Sequence, residues 1–259
     1  MAENQYGFPT EVLSLPSQGL LYPEDSPLRS GTIDVKYMTA KEEDILTSTN
    51  LIQQGKVIER LLESVIADKK VKLDDMLVGD KNALMLGTRI LGYGSEYRVT
   101  INDIETGQDV EKTIDLSTLQ HKEIDKKLFE SGENKFEFEL PNSKRKVEFK
   151  LLNGHDEKII DKQLEDLQKV EELTGVSSEL TTRIKHQLIS VDGNTDQKFI
   201  DNFVDNEFLA LDTRAYRRYI STITPDVNMV FNYTTQRTKK VVEVEVPLGT
   251  EFFWPAARK

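Results

Sequence analysis

The residues able to do chemistry are scattered, and no spacing unites them. His121, His155 and His186 stand far apart with no H-E-x-x-H pattern, so each reads as a surface or capping side chain rather than a metal ligand. Asp192, Asn194 and Asp196 imitate the first ligands of a calcium loop. Gln197, however, takes the glycine position and Phe203 the place of the bidentate glutamate, so a turn and a helix cap are expected instead. Gly55-Lys56 ends like a phosphate loop, but Asn50 stands where its first glycine belongs. Gly92-Tyr93-Gly94 lacks the third glycine and the preceding strand of a dinucleotide fingerprint. With 45 acidic residues, carboxylate pairs occur everywhere and none stands out as a general acid and base. The absence of cysteine excludes disulfides and thiolate metal sites, and fits a cytoplasmic protein. The expectation is therefore no catalytic residue, no cofactor and no metal.

The elements that would position any site are legible from periodicity. Ile33, Val35 and Tyr37 alternate with polar residues as a half-buried strand. Thr39 and Glu42 have the spacing of a capping box for a helix over 40–49. Val57, Ile58, Leu61, Leu62, Val65 and Ile66 form an amphipathic helical face. Asp80 is the expected N-cap of a helix carrying Ala83, Leu84, Met85, Ile90 and Leu91, with Gly92 and Gly94 ending it. Three hairpins follow the same logic. Tyr97, Val99 and Ile101 answer Val110, Lys112 and Ile114; Phe136, Phe138 and Leu140 answer Val147, Phe149 and Leu151; Met229, Phe231 and Tyr233 answer Val242, Val244 and Val246. The first and third look loosely alike, a weak hint of internal duplication. Between the second and third hairpins the pattern is helical. Asp156 and Ser178 are the expected caps, Leu188 belongs to the second helix, and Pro225 stops the last one. The expected class is α+β, amphipathic helices packed with small antiparallel hairpins behind an extended N-terminal arm. The divisions are 1–30 for the arm, 31–155 for an α+β region with two hairpins, and 156–259 for a helical region closing with the last hairpin and an aromatic tail.

The net charge is −11, which argues against a nucleic-acid binder because phosphate neutralisation needs a basic face. Lys144-Arg145-Lys146 and Arg214, Arg217 and Arg218 read as a solvated turn and a solvated helix face. No run approaches the roughly 18 apolar residues of a membrane span, and no basic-then-apolar leader opens the chain. Interaction surface is what remains. Leu15, Leu20, Leu21 and Tyr22 are too apolar for a free linker and should pack on the body or on a partner subunit. Phe252, Phe253 and Trp254, which include the sole tryptophan, either close the core or anchor to another subunit.

Leu15-Pro16-Ser17-Gln18-Gly19-Leu20-Leu21-Tyr22-Pro23, Met38-Thr39-Ala40-Lys41-Glu42-Glu43, Arg89 to Tyr97 and Phe252-Phe253-Trp254-Pro255, in that order, resemble the baseplate hub assembly proteins of T-even-type contractile-tailed phages. The resemblance covers most of the chain. It implies a non-enzymatic late protein, an assembly chaperone or structural part of the hub. Its partners would be other hub or tail subunits, and it would act in the host cytoplasm during assembly or in the virion tail. Some relatives carry a Cys-x-x-Cys knuckle in the first and last hairpins, whereas the turns here contain none. By that resemblance the hairpins would be held by Val, Ile and Phe burial alone. The competing expectations are a generic soluble interaction module, a hydrolase with an acidic site in a deep cleft, and a host-directed or nucleic-acid accessory module, the last using the two basic runs as one continuous face.

Overall fold

The computed structural model describes residues 6–248 and 252–253, except for the side chains of residues 169–171 and 174. The chain folds as α+β, helices packed with small antiparallel sheets. β1 (Thr10–Ser14) pairs with β2 (Thr32–Lys36), with Val12 opposite Asp34. β1 falls inside the segment expected to be an extended arm, and its pairing with β2 makes part of that arm a sheet strand.

α1 (Ala40–Thr47) begins on the expected capping box: the Lys41 amide donates to Thr39 Oγ1 at 3.3 Å and the Thr39 amide to Glu42 Oε2 at 2.9 Å. Glu42 also takes Lys36 Nζ at 2.7 Å and the Ser64 hydroxyl at 3.2 Å. Burial would raise its pKa, but the bonds from Lys36 and Thr39 outweigh burial and hold it at about 2. The folded pKa is therefore below the unfolded one. The stabilisation is complete above the ordinary glutamate range and is lost as pH falls toward 2. In acid titrations followed by circular dichroism, Glu42→Gln should be less stable than wild type near neutrality, with the difference closing toward pH 2. A difference that stays constant with pH would refute this.

α1 stops at Thr47 because Ser48 is extended, and α2 (Thr49–Gln53) restarts the chain before α3 (Val57–Val65). α4 (Val78–Tyr93) corrects the reading of Asp80. Leu77 occupies the N-cap, and Asp80 lies in the first turn with its carboxylate directed at the arm. Gly92 lies within α4 rather than ending it; an added Cβ there would come 2.5 Å from Met38 Sδ. Gly94, at φ 81°, ends the helix. Gly79 backs onto the Pro225 carbonyl, where a Cβ would lie 1.9 Å from the oxygen, so only glycine permits this approach. Arg89 is 2% exposed. It donates to the Gly94 and Glu96 carbonyls at 2.7 and 3.1 Å beneath the Tyr93 and Tyr97 rings, tying α4 to the next strand.

The hairpin registers follow the alternation. β3 (Glu96–Asn102) and β4 (Asp109–Asp115) set Tyr97 opposite Ile114 and Ile101 opposite Val110. β5 (Phe136–Glu139) and β6 (Lys146–Phe149) set Phe138 opposite Val147. A third strand, β7 (Leu188–Val191), joins β6. Leu188 therefore starts a strand rather than ending a helix, because the edge of β6 away from β5 offers backbone groups for pairing and Leu188 and Val191 are buried there.

α5 (Gly154–Thr174) starts with the Asp156 amide donating to Asn153 Oδ1 at 3.0 Å and the Asn153 amide to Asp156 Oδ2 at 3.2 Å, so Asp156 is the reciprocal member of the cap. α6 (Glu179–Gln187) precedes β7. α7 (Gln197–Asn202) is capped by Asp196, whose carboxylate accepts from the Phe199 amide at 3.1 Å; a π-helical turn, Phe203–Glu207, follows. α8 (Ala210–Ile223) ends before Pro225, and β8 (Val230–Thr234) pairs with β9 (Val241–Glu245). The inner side of α8 packs on the three-stranded sheet. Tyr216 meets Phe149 edge-on at 5.2 Å, and Tyr219 stacks on Phe138 at 4.7 Å.

Candidate interaction surface

Among the described residues no group of His, Asp or Glu could hold a metal ion, and no helix is long and apolar enough to cross a membrane. His121 and His155 are exposed, and His186 contacts Gln163 at 2.9 Å. The candidate residues for function are thus the two ends of the chain and whatever the folded surface leaves without a partner.

The arm is tied to the body around Asp80. Its Oδ1 accepts from the Ser17 amide at 2.9 Å, and its Oδ2 accepts from the Ser17 and Tyr22 hydroxyls, both at 2.6 Å. Tyr22 Oη also accepts from the Leu77 amide at 2.9 Å. Burial pushes the Asp80 carboxyl up, and the bonds from Ser17 and Tyr22 oppose that rise. Burial and the neighbouring Asp80 push the Tyr22 phenol far up, so it stays a donor. The arm is also closed on itself: Arg29 donates to the carbonyls of Gly19, Leu20 and Tyr22. Gly19, at φ 76°, sits against the Arg29 carbonyl where no Cβ fits.

Of the arm residues put forward as partner contacts, Leu15, Leu21 and Tyr22 are buried in the chain's own core, and only Leu20 keeps part of its side chain at the surface. Phe252 and Phe253 are each 2% exposed. Phe252 meets Tyr97 edge-on at 5.3 Å. Trp254 lies outside the described residues. A partner could reach the buried five only if the ends lifted off the body.

The first and last hairpins meet at their turns, and burial is not all that joins them. Asp103, fully buried, accepts the Tyr233 hydroxyl at 2.6 Å and the Gln236 amide at 2.8 Å on Oδ2. On Oδ1 it accepts the Glu105 and Thr106 amides and the Thr106 hydroxyl. Glu105 in turn accepts the Thr238 amide at 2.9 Å and its hydroxyl. A carboxylate hydrogen-bond staple therefore stands between these cysteine-free turns, correcting the expectation that side-chain burial alone holds them.

Three further carboxylates serve local structure. Asp212, fully buried at the start of α8, accepts the Asn142 amide at 2.7 Å and the Ser143 amide at 2.9 Å, anchoring the β5–β6 turn. Burial opposes ionisation there, but those bonds win and hold its pKa at about 2. Asp192 accepts from Arg145 at 2.8 Å, and Glu207 takes the other arm of that guanidinium at 2.6 Å.

Arg145 is thus engaged, whereas the exposed α8 arginines 214, 217 and 218 make no side-chain ion pair or hydrogen bond among the described residues. Asp212 holds the 142–143 turn against the start of that helix. Leu211, 65% exposed, precedes the arginines, and Leu173 at the far end of α5 is 88% exposed. The sequence signal for α8 was available as Leu211, Arg214 and Arg218 on one helical stripe, with Asp212 the sole acid of the helix.

Compared with protein families, the chain matches the model of a family described as T4 bacteriophage base plate protein over residues 20–254. No curated protein and no solved structure matches it.

Proposed function

The chain belongs to the T4 bacteriophage base plate protein family, and from that premise we propose that it builds or forms part of the baseplate hub, without catalysis, through protein–protein contacts. The observation that supports the baseplate part of this reading is the family match from residue 20 to residue 254; the hub role rests on the sequence resemblance. Asp80, Asp103 and Asp212 bind donors of the chain's own backbone and turns, which supports a structural role for these three carboxylates. The mechanism is templating. Several modest contacts presented on one scaffold hold hub and tail subunits in register and raise their effective concentration for one another. The protein acts late in infection, in the host cytoplasm, as an assembly chaperone or as a subunit that stays in the tail. Deleting the gene from the phage should stop baseplate completion, and the full chain supplied in trans should restore it. Normal tails without the protein would overturn the proposal. Mass spectrometry of purified tails then separates a retained subunit from a chaperone that leaves.

A further inference from the structure

We propose that the outer face of α8 is the docking site for an acidic, leucine-anchored segment of a neighbouring protein; the hub reading supplies only the source of that partner. The face gathers three exposed arginines on one helix of an acidic chain. Acidic residues outnumber basic ones 45 to 34, and Arg60, Arg145 and Arg183 each hold a carboxylate at 3.0, 2.8 and 2.7 Å. Arg214, Arg217 and Arg218, at the i, i+3 and i+4 positions of one helix, hold none among the described residues. The sole acid of α8, Asp212, is turned inward onto the 142–143 turn. An apolar component accompanies the charge. Leu211 is 65% and Leu209 52% exposed at the N-terminal end of the face. A shallow groove of about 440 Å³ runs from Leu211 past Arg214 and Arg218 to Thr222. Its floor is fixed, because Tyr219 stacks on Phe138 at 4.7 Å.

Charge complementarity selects the occupant. A second copy docking by the same face would oppose like charges across a two-fold axis. Nucleic acid would meet a chain of net charge −11 and has no use for exposed leucines. Carboxylates on a segment with apolar anchors satisfy both the guanidinium groups and the leucines, and desolvated arginines are typical interface hot spots.

The test uses the full chain and a fluorescent synthetic helical peptide of glutamates carrying two leucines one turn apart, read by anisotropy. Arg214→Glu with Arg218→Glu should weaken binding by roughly thirtyfold, and Leu211→Ser by about three- to tenfold with an unchanged salt slope. Both variants should melt like wild type, since none of the three side chains has a hydrogen-bond or ion-pair partner to lose among the described residues. A lysine-for-glutamate peptide should not bind. Unchanged affinity in the arginine variant, equal binding of a leucine-free peptide, or equal retention of a short DNA duplex would each overturn the proposal. The arginine variant should also fail to restore baseplates to the gene-deleted phage. If it restores them fully, the face is refuted while the hub reading stands. If the phage never needed the protein, the hub reading fails and the peptide titration alone decides the face.

Discussion

Deleting residues 1–30 should yield a chain without a cooperative thermal transition, not a folded body missing an appendage. The deletion removes β1, the pairing partner of β2, and four core side chains, Leu15, Leu21, Tyr22 and Leu28, each no more than 6% exposed. Loss of one such side chain typically costs about 2–5 kcal/mol. Four together reach or exceed the roughly 5–15 kcal/mol by which ordinary domains are stable. The deletion also strips Asp80 of its donors and leaves a carboxylate with no partner where water was excluded. Point variants isolate that component. Asp80→Ala leaves the Ser17 amide and hydroxyl and the Tyr22 hydroxyl without their acceptor and should cost about 2–4 kcal/mol, less whatever the carboxylate's own desolvation returns. Tyr22→Phe removes one donor to Asp80 and the acceptor for the Leu77 amide, and should cost about 1–3 kcal/mol. Urea melts of the full-length variants, beside circular dichroism of the truncation, give the measurements. A truncation that melts as sharply as the whole chain would show that the arm contributes nothing to the body.

Local rules made the elements legible but concealed what joins them. The capping box at Thr39 and Glu42 was readable because both partners lie within one turn of chain, and the hairpin registers because period-two alternation admits only one buried face. β1 was hidden by its setting: five residues with one alternation fall among Pro, Gly and Ser, and the strand exists because β2 and α4 receive it. Leu188 to Val191 continues the apolar spacing of α6, so only the open edge of β6 distinguishes strand from helix. Asp80 had the residue type of a cap, and no sequence rule says that a serine 63 positions earlier will claim its carboxylate. The surface was legible in composition only. The α8 arginines were visible as a run, but whether a guanidinium is paired depends on carboxylates brought in by folding.

The same distinction sets the second large effect. Asp103→Ala should release the last hairpin from the first while leaving each hairpin's own register intact. Five donors converge on this carboxylate, two of them from residues more than a hundred positions away. No other residue type supplies that geometry. Asparagine keeps the size but turns one acceptor into a donor, so whichever oxygen it replaces, at least two donors lose their acceptor. Asp103→Asn should therefore resemble Asp103→Ala rather than wild type. Hydrogen exchange at β8 and β9 amides should quicken on the order of tenfold or more, while β5 and β6 keep their protection. The Phe252 ring on Tyr97, which depends on the last hairpin being seated, should loosen with it. The bond from Tyr233, together with the Gln236 and Thr106 donors, outweighs burial and holds the Asp103 carboxyl well below the usual range. Its folded pKa thus lies under the unfolded one, so the staple is complete above the ordinary aspartate range and weakens as pH falls below it. The difference between wild type and Asp103→Asn should shrink in acid. Equal exchange in the two proteins at neutral pH would mean that apolar burial suffices to hold the hairpins together and the carboxylate is incidental.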